Sequence, residues 1–366
     1  MISIPIAPIP FRKLLHGWYH IHQRALPWRT TKDPYKIWLS EIILQQTRVA
    51  QGLPYYERFI AQYPSLTALA HASEQEVLRL WQGLGYYSRA RNLYYCAQTI
   101  VEKYGGSFPT SYKALLTLRG IGPYTAAAIA AVSFKEAVAA VDGNVYRVLA
   151  RIFGLTADIA TTKGRNIIHQ LAATLVDPLH PDTYSQAIMD FGALQCLPKS
   201  PLCKSCLFKD YCVAFQTDRQ HQLPIKTLKI TKKKRYFDYF IIKNQDTLYM
   251  KQRNKGDIWQ GMYDFYLVEH EQPLTLDQIN DPLLTWAKTS HLPMVTFDQK
   301  VAHTLTHQQL SVTFHQLEIP SDRLVEKMLV SHPYHLQPFS IKAIKSLPKP
   351  ILIHNFLQQF YKPTAG

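Results

Sequence analysis

Two carboxylates and a group of four cysteines carry the chemistry this chain could do. Glu41 lies in YKIWLSEIILQQTRV, where Ile37, Glu41 and Leu44 fall at i, i+4 and i+7, so on a helix an acid shares a face with apolar groups. A charge there must be paired, solvated by a cavity, or neutralised by a raised pKa. Spacing alone supports a surface Glu paired with Arg48 as well as an acid that can deliver a proton. Asp142, in AVDGNVYRVLARI, is the second acid, and the ordinary role of an Asp before Gly143-Asn144 is a helix N-cap. The cysteines run Cys196-x6-Cys203-x2-Cys206-x5-Cys212. Four thiolates so spaced can wrap a zinc ion or an iron–sulfur centre, and the spacing leaves both open. Cys96, alone in a Tyr-rich helical stretch, reads as a small core residue.

These groups need a scaffold, and its centre is Gly120-Ile121-Gly122-Pro123. This turn joins a helical pattern over 110–117 to an Ala-rich helix starting at Pro123. Gly120 and Gly122 let the backbone turn tightly and approach a ligand. The free N–H groups beside a helix N-terminus then make an anion site without side-chain charge. Upstream, residues 1–10 read as extended, Phe11–Arg24 as an amphipathic helix, and Leu26-Pro27-Trp28-Arg29 as a loop. Asp33-Pro34 opens the helix that carries Glu41. Further helices are expected near 50–62, 73–82, 88–104, 163–176 and 182–195. Between the second and third of these, GLGYYSRAR combines glycines with Tyr86, Arg89 and Arg91. Such a loop suits gripping a phosphate backbone and wedging a ring between bases, or equally a helix start with packed tyrosines.

Composition sets the frame. The chain has 366 residues and a net charge of +15, with a pI near 9.4. That length suits two domains, and the charge suits a polyanion, nucleic acid rather than membrane, since no apolar run approaches a spanning length. No secretion signal is expected from MISIPIAPIPFRK, and clustered cysteines suit a metal site in a reducing cytoplasm. Lys199, Lys204 and Lys209 interleave with them and would offer charge to a backbone. Beyond Cys212, residues 223–235 end in Lys232-Lys233-Lys234-Arg235 and read as a basic linker. From Tyr236 the texture is β: YFDYFIIKN, TLYMKQR and MYDFYLVE, with a hairpin turn at Asn244-Gln245-Asp246, then LSVTFHQLEI and a closing helix near 350–361.

Taken together, SEIILQQTRV, WQGLGYYSRARNL, LRGIGPYTAAAIA, AVDGNVYRVLARI, AIMDFGALQC and the cysteine spacing resemble the MutY-type adenine DNA glycosylases of the helix–hairpin–helix superfamily, along nearly the whole chain. The resemblance implies a mainly α catalytic region over 1–222, with a six-helix barrel about 26–134 and an iron–sulfur cluster domain of 1–25 plus 135–222. A linker over 223–235 and a small α+β Nudix-like lesion-recognition domain over 236–366 would follow. It implies a monofunctional enzyme of base excision repair, a monomer in the cytoplasm at the nucleoid. Its partner would be double-stranded DNA with adenine opposite 8-oxoguanine or guanine, and its cofactor a [4Fe-4S] cluster on Cys196, Cys203, Cys206 and Cys212.

By the same resemblance Glu41 protonates the flipped adenine, Asp142 stabilises the sugar cation, and Tyr124 and Asn144 support that pair. Relatives of the endonuclease III type place at position 124 a lysine that forms a Schiff base; a phenol cannot. Arg24, Leu26, Trp28, Arg29 and Gln186 match adenine-binding positions. Gln186 would read an amino and ring-nitrogen edge. Gln46, Thr47 and Tyr86 match the group that fills the vacated stack, and Gly120, Gly122 and Thr125, with Arg89 and Arg91, would hold the backbone. The lesion-reading loop departs from the family's His-x-Phe-Ser-His: here it is His303-Thr304-Leu305-Thr306-His307. Thr306 keeps a hydroxyl, His307 a flanking imidazole, and Leu305 loses a ring. A Nudix hydrolase needs a Glu-rich metal helix, and none stands between residues 250 and 350, so recognition without hydrolysis is expected. The rivals are a bifunctional endonuclease III-like enzyme acting on oxidised pyrimidines and a non-catalytic lesion-binding protein.

Overall fold

The computed structural model describes residues 5–227, 231–254, 256–331 and 335–361. Residues 1–4 of the expected extended start and 228–230 of the expected linker lie outside the described residues. Contacts divide the chain into two units, Met1–Ala72 with Arg91–Leu228, and Ser73–Ala90 with Lys229–Gly366.

The first unit is helical. Its elements are α1 (Pro8–His22), α2 (Pro34–Leu44), α3 (Val49–Gln62) and α4 (Leu66–Ala70). Beyond the short α5 (Glu74–Leu80), which belongs to the other unit, come α6 (Ser88–Tyr104), α7 (Tyr112–Leu115), α8 (Pro123–Phe134), α9 (Gly143–Ile152), α10 (Thr162–Leu175), α11 (Pro181–Leu194) and α12 (Val213–Gln216). α1 starts three residues earlier than the pattern suggests, because Pro8 serves as a first-turn residue. α2 is capped by Asp33, whose side chain accepts from Tyr35 N at 2.9 Å. It stops at Leu44, well short of the expected Val49, because Gln46 turns left-handed at φ 57°.

Phe11, Leu15 and Trp18 of α1 pack with Val148, Leu149 and Ile152 of α9, Ile188 and Phe191 of α11, and Phe208. Phe11 stacks on Phe208 at 4.9 Å, and Phe191 meets Phe208 edge-on at 5.3 Å. α8 is buried from Thr125 to Val132, and its small alanines let α2 and α11 both approach it. This corrects the expected division into a six-helix barrel and a separate cluster domain. α8 packs on α11, from the second of those expected parts, as well as on α2 and α7 from the first, while α4 and α7 are single turns and α5 belongs to the other unit. The described helices of the first unit make one helical body with no clear six-helix barrel.

The second unit is an α+β layer structure. Strands β1 (Lys233–Asn244), β2 (Thr247–Gln252), β3 (Tyr263–Asp264), β4 (Tyr266–His270), β5 (Met294–Thr304), β6 (Gln308–Glu318) and β7 (Gln337–Ser340) form one sheet, with α13 (Pro282–Thr289), α14 (Asp322–Ser331), α15 (Ile341–Ile344) and α16 (Ile351–Phe360). β1 is central. It runs parallel to β6, from Lys233 beside Gln308 to Lys243 beside Glu318, and antiparallel to β4 and then β2 on its other edge. Phe237 to Ile242 are all buried, as a strand covered on both faces requires. Phe240 and Ile242 face Leu283, Leu284 and Met328 of α13 and α14. Phe314 stacks on Phe356 of α16 at 4.0 Å. The run Lys232–Arg235, expected in a solvated linker, enters β1 at Lys233. Arg235 is buried against Asp257 at 2.7 Å and Glu269 at 2.5 Å, so its charge is neutralised locally.

Candidate active site

α2 and α9 bring the two carboxylates to one place. Glu41 and Asp142 open, with Tyr124 and Asn144, on a single cavity of about 890 Å³ in the first unit. Arg24, Leu26, Trp28, Arg29, Gln186, Gln46, Thr47, Gly122 and Thr125 line it as well. The volume suits a nucleoside-sized ligand.

Glu41 keeps a little surface toward the cavity and is otherwise enclosed. Burial pushes its carboxyl from the ordinary 4.5 up to about 7, against a hydrogen bond with Tyr124 and the charge of Arg29; Asp142 pushes the same way as burial. Its charged neighbours are thus Arg29 and Asp142 rather than Arg48. The Tyr124 hydroxyl also lies 3.0 Å from Met189 Sδ, and burial drives its own pKa far up, so it stays a neutral phenol.

Asp142 is a helix cap and a cavity residue at once. Asn144 N and Val145 N donate to Oδ1 at 2.9 and 2.8 Å, and Asn144 Nδ2 donates to Oδ2 at 2.7 Å. Burial raises its pKa, while these three donors and the Arg147 charge work the other way. Burial is the largest influence on both acids; they differ in their partners, three N–H donors at Asp142 and the Tyr124 hydroxyl at Glu41. Arg147 Nη2 donates to Asn144 Oδ1 at 2.8 Å and to Gly192 O at 2.7 Å, fixing the amide so that its nitrogen faces Asp142.

The hairpin between α7 and α8 follows its glycines. Gly120 is left-handed at φ 79°, and an added Cβ would lie 2.6 Å from Asn92 Cβ; Gly122 is the N-cap of α8, with open space around it. Thr125 is buried, its hydroxyl accepting from Gln45 Nε2 at 3.3 Å, so backbone N–H groups are what it can offer an anion. Gln46 is exposed. In the second unit Tyr86 is left-handed at φ 48° and 41% exposed. Arg89 there is buried: Nη2 donates to Leu84 O and Gly85 O at 3.3 Å, and its guanidinium lies over the Trp81 and Tyr86 rings. It pins the loop. Arg91 is half-buried. Thr306 and His307 sit in the turn between β5 and β6, with Thr306 half-buried and His307 exposed.

The four cysteines do not form the expected metal centre. Among the described residues no group of three or more His, Cys, Asp or Glu is placed to hold a metal ion. Arg151 Nη1 donates to Cys196 Sγ at 3.4 Å, and Cys212 Sγ donates to Arg151 O at 3.5 Å. Burial pushes Cys206 up to about 12 and raises Cys203 and Cys212 as well, which favours neutral thiols. Cys196, Cys206 and Cys212 pack on the core around Phe208. The [4Fe-4S] cofactor and the iron–sulfur, metal-binding description of the chain are corrected accordingly.

Asp190, Tyr19 and Arg147 join the site without having been singled out in the sequence. Asp190 is wholly buried and pairs with Arg24 and Arg29. An acid among the apolar residues of AIMDFG, one turn after Gln186, was the available signal.

Comparison with known proteins agrees with this geometry. Residues 39–175 match the HhH-GPD superfamily of base excision DNA repair proteins, and residues 238–359 match the NUDIX domain. An adenine DNA glycosylase of Buchnera aphidicola subsp. Acyrthosiphon pisum is 32% identical over 304 residues, covering 81% of this chain and 84% of the relative. The chain belongs to the adenine DNA glycosylase family. The human member is 43% identical over 222 residues, 58% of this chain and 41% of its own. A solved thermostable thymine-DNA glycosylase is 29% identical with a TM-score of 0.52, covering 57% of this chain and 97% of its own. An endonuclease III in a non-covalent DNA complex, at 20% identity and a TM-score of 0.50, shares the fold over 58% of this chain and 98% of its own. Among the described residues no helix is long and apolar enough to cross a membrane.

Proposed function

We propose that this adenine DNA glycosylase of base excision repair is monofunctional and excises adenine mispaired with 8-oxoguanine or guanine, with Glu41 as acid and Asp142 as cation stabiliser. The observation that carries the reading is that both carboxylates line one nucleoside-sized cavity, Glu41 beside the Tyr124 hydroxyl and Asp142 among three N–H donors. Glu41 gives its proton to a ring nitrogen of the extruded adenine, so the C1′–N9 electron pair leaves on a neutral base. Asp142, held by its three donors, faces the oxocarbenium ion that remains. Water then adds through oxygen to C1′, and its proton returns to Glu41.

A strand-cleaving step needs an amine nucleophile. Among the described residues lining the cavity there are arginines but no lysine, and position 124 is Tyr. The helix–hairpin–helix element binds DNA; in our reading Gly120, Gly122 and Thr125 offer N–H groups to the backbone. Gln46, Thr47 and Tyr86 fill the vacated stack, with Arg89 holding the Tyr86 loop in shape and Arg91 near the phosphates. The NUDIX-like part, taken as 236–366 after a catalytic part of 1–222, reads the opposite base through Thr306 and His307 without hydrolysis. The enzyme works as a monomer on nucleoid DNA in the cytoplasm.

The test is a set of duplexes with adenine opposite 8-oxoguanine, guanine, cytosine or thymine, analysed with and without hot alkali. Strand breaks only after alkali, and only with the first two partners, are expected. Breaks before alkali would transfer the chain to the lyase class.

A further inference from the structure

α11 carries Gln186 and Asp190 one turn apart, and both belong to a chain of hydrogen bonds that ends in the cavity. Asp190 Oδ1 accepts from Arg24 Nη2 at 2.5 Å, Arg24 Nε at 3.1 Å and Arg29 Nη2 at 2.7 Å. Its Oδ2 lies 3.4 Å from Arg24 N. Arg29 turns its other terminal nitrogen, Nη1, to the Tyr19 hydroxyl oxygen at 3.3 Å. The hydroxyl proton in turn points to Gln186 Oε1, 2.9 Å away. A guanidinium only donates and a phenol has one proton, so each bond fixes the sense of the next. With Oε1 engaged by Tyr19, the donor end of the amide, Nε2, is the end left for a ligand. The reversed amide would press a second N–H on an oxygen already accepting from Arg29, and leave the phenol proton without the carbonyl it now meets.

We propose that Asp190 and Tyr19 are positioning residues that orient Gln186 so that its amide nitrogen donates to a ring nitrogen of the extruded purine. The inference rests on the adenine-excision reading and narrows it: residue 186 reads an acceptor on the base, not the exocyclic amine. Asp190 holds Arg29, Arg29 holds Tyr19, and Tyr19 holds the amide.

Full-length Glu41→Gln protein, which keeps its substrate uncleaved, tests this by dissociation constants. The duplexes carry adenine, its 1-, 3- and 7-deaza analogues, or purine lacking the amino group, opposite 8-oxoguanine. One deaza duplex is expected to bind weaker by on the order of tenfold, the size of a lost hydrogen bond to a fixed donor. That difference should vanish when Gln186→Ala or Tyr19→Phe is added, and Tyr19→Phe should cost nothing further on top of Gln186→Ala. Tyr19→Phe removes one oxygen and is the safer variant. Asp190→Asn, checked by its unfolding midpoint, should blunt the same difference.

Sensitivity that follows only the amino group, that survives Tyr19→Phe, or that weakens all duplexes equally would overturn the proposal. So would additive losses at positions 19 and 186. If the protein binds the adenine mispair no better than a thymine·adenine duplex, the excision reading itself fails. If it prefers the mispair but lacks the pattern, only this inference fails.

Discussion

Glu41→Gln is expected to abolish excision while making the protein more stable as pH rises above the ordinary carboxyl pKa of 4.5. Burial lifts the carboxyl from 4.5 to about 7 in the native state, so between those values the folded chain holds a proton that the unfolded chain has released. Wild-type stability is therefore fully present below the lower value, declines as pH rises through about 7, and stays reduced above it. A rise of this size corresponds to about 3 kcal/mol. Glutamine has the same shape and does not titrate. Urea unfolding of both proteins from about pH 4 to about pH 8 should show the difference moving in favour of the variant by about 3 kcal/mol, most of it between the two pKa values. In parallel, single-turnover excision by the wild type should decline above about pH 7, roughly tenfold per unit, as the acid loses its proton. Parallel stability curves for the two proteins, or excision flat through neutrality, would refute the assignment of a buried, proton-holding Glu41.

The other predictions use neighbouring groups. Tyr124→Phe removes a hydrogen bond that lowers the Glu41 pKa, so the midpoint of the pH–rate curve should move up; a downward move would mean the phenol supports the protonated acid instead. Asp142→Asn keeps an oxygen for the Val145 and Asn144 N–H groups, so unfolding should cost about 1 kcal/mol or less while excision is lost. Full excision would leave Asp142 a cap and nothing more. Gly120→Ala meets Asn92 at 2.6 Å in a left-handed backbone and should cost about 1–3 kcal/mol together with duplex affinity. Gly122→Ala, with open space and an ordinary φ, should leave stability nearly unchanged, and equal losses at both positions would undo the distinction.

How far the sequence reaches depends on whether a residue's neighbours are local. The helices of the first unit follow from apolar spacing, caps and prolines, and Pro123 and Asp33 mark two starts directly. LQQTRV continues a helical composition past the end of α2, and only the left-handed Gln46 shows that the chain leaves the axis there. The body of β1 is legible from Tyr236 on, but its start at Lys233 is not. Lys233 to Arg235 look like a solvated run until Asp257 and Glu269, distant in sequence, are seen to neutralise Arg235. The cysteine spacing is a strong local signal, yet spacing gives no information on where the sulfur atoms point, and among the described residues they are not placed as ligands.

Asp142 shows why the ordinary and the functional readings of a residue need not compete. As a cap it accepts two backbone N–H groups at the start of α9, while its second oxygen accepts from the amide of Asn144, which lines the cavity with it. The donors that make it a good cap are those that favour its anion against burial. Glu41 differs in its partners: it lies within α2 where no free N–H is available, and burial lifts it to about 7 with the Tyr124 hydroxyl as its hydrogen-bond partner. Position within the helix thus gives two carboxylates lining one cavity different hydrogen-bond partners. Exchanging their side chains, Glu41→Asp with Asp142→Glu, should fail to restore excision even though both groups remain acids, because the backbone positions, more than the residue types, set which acid meets the N–H donors of α9.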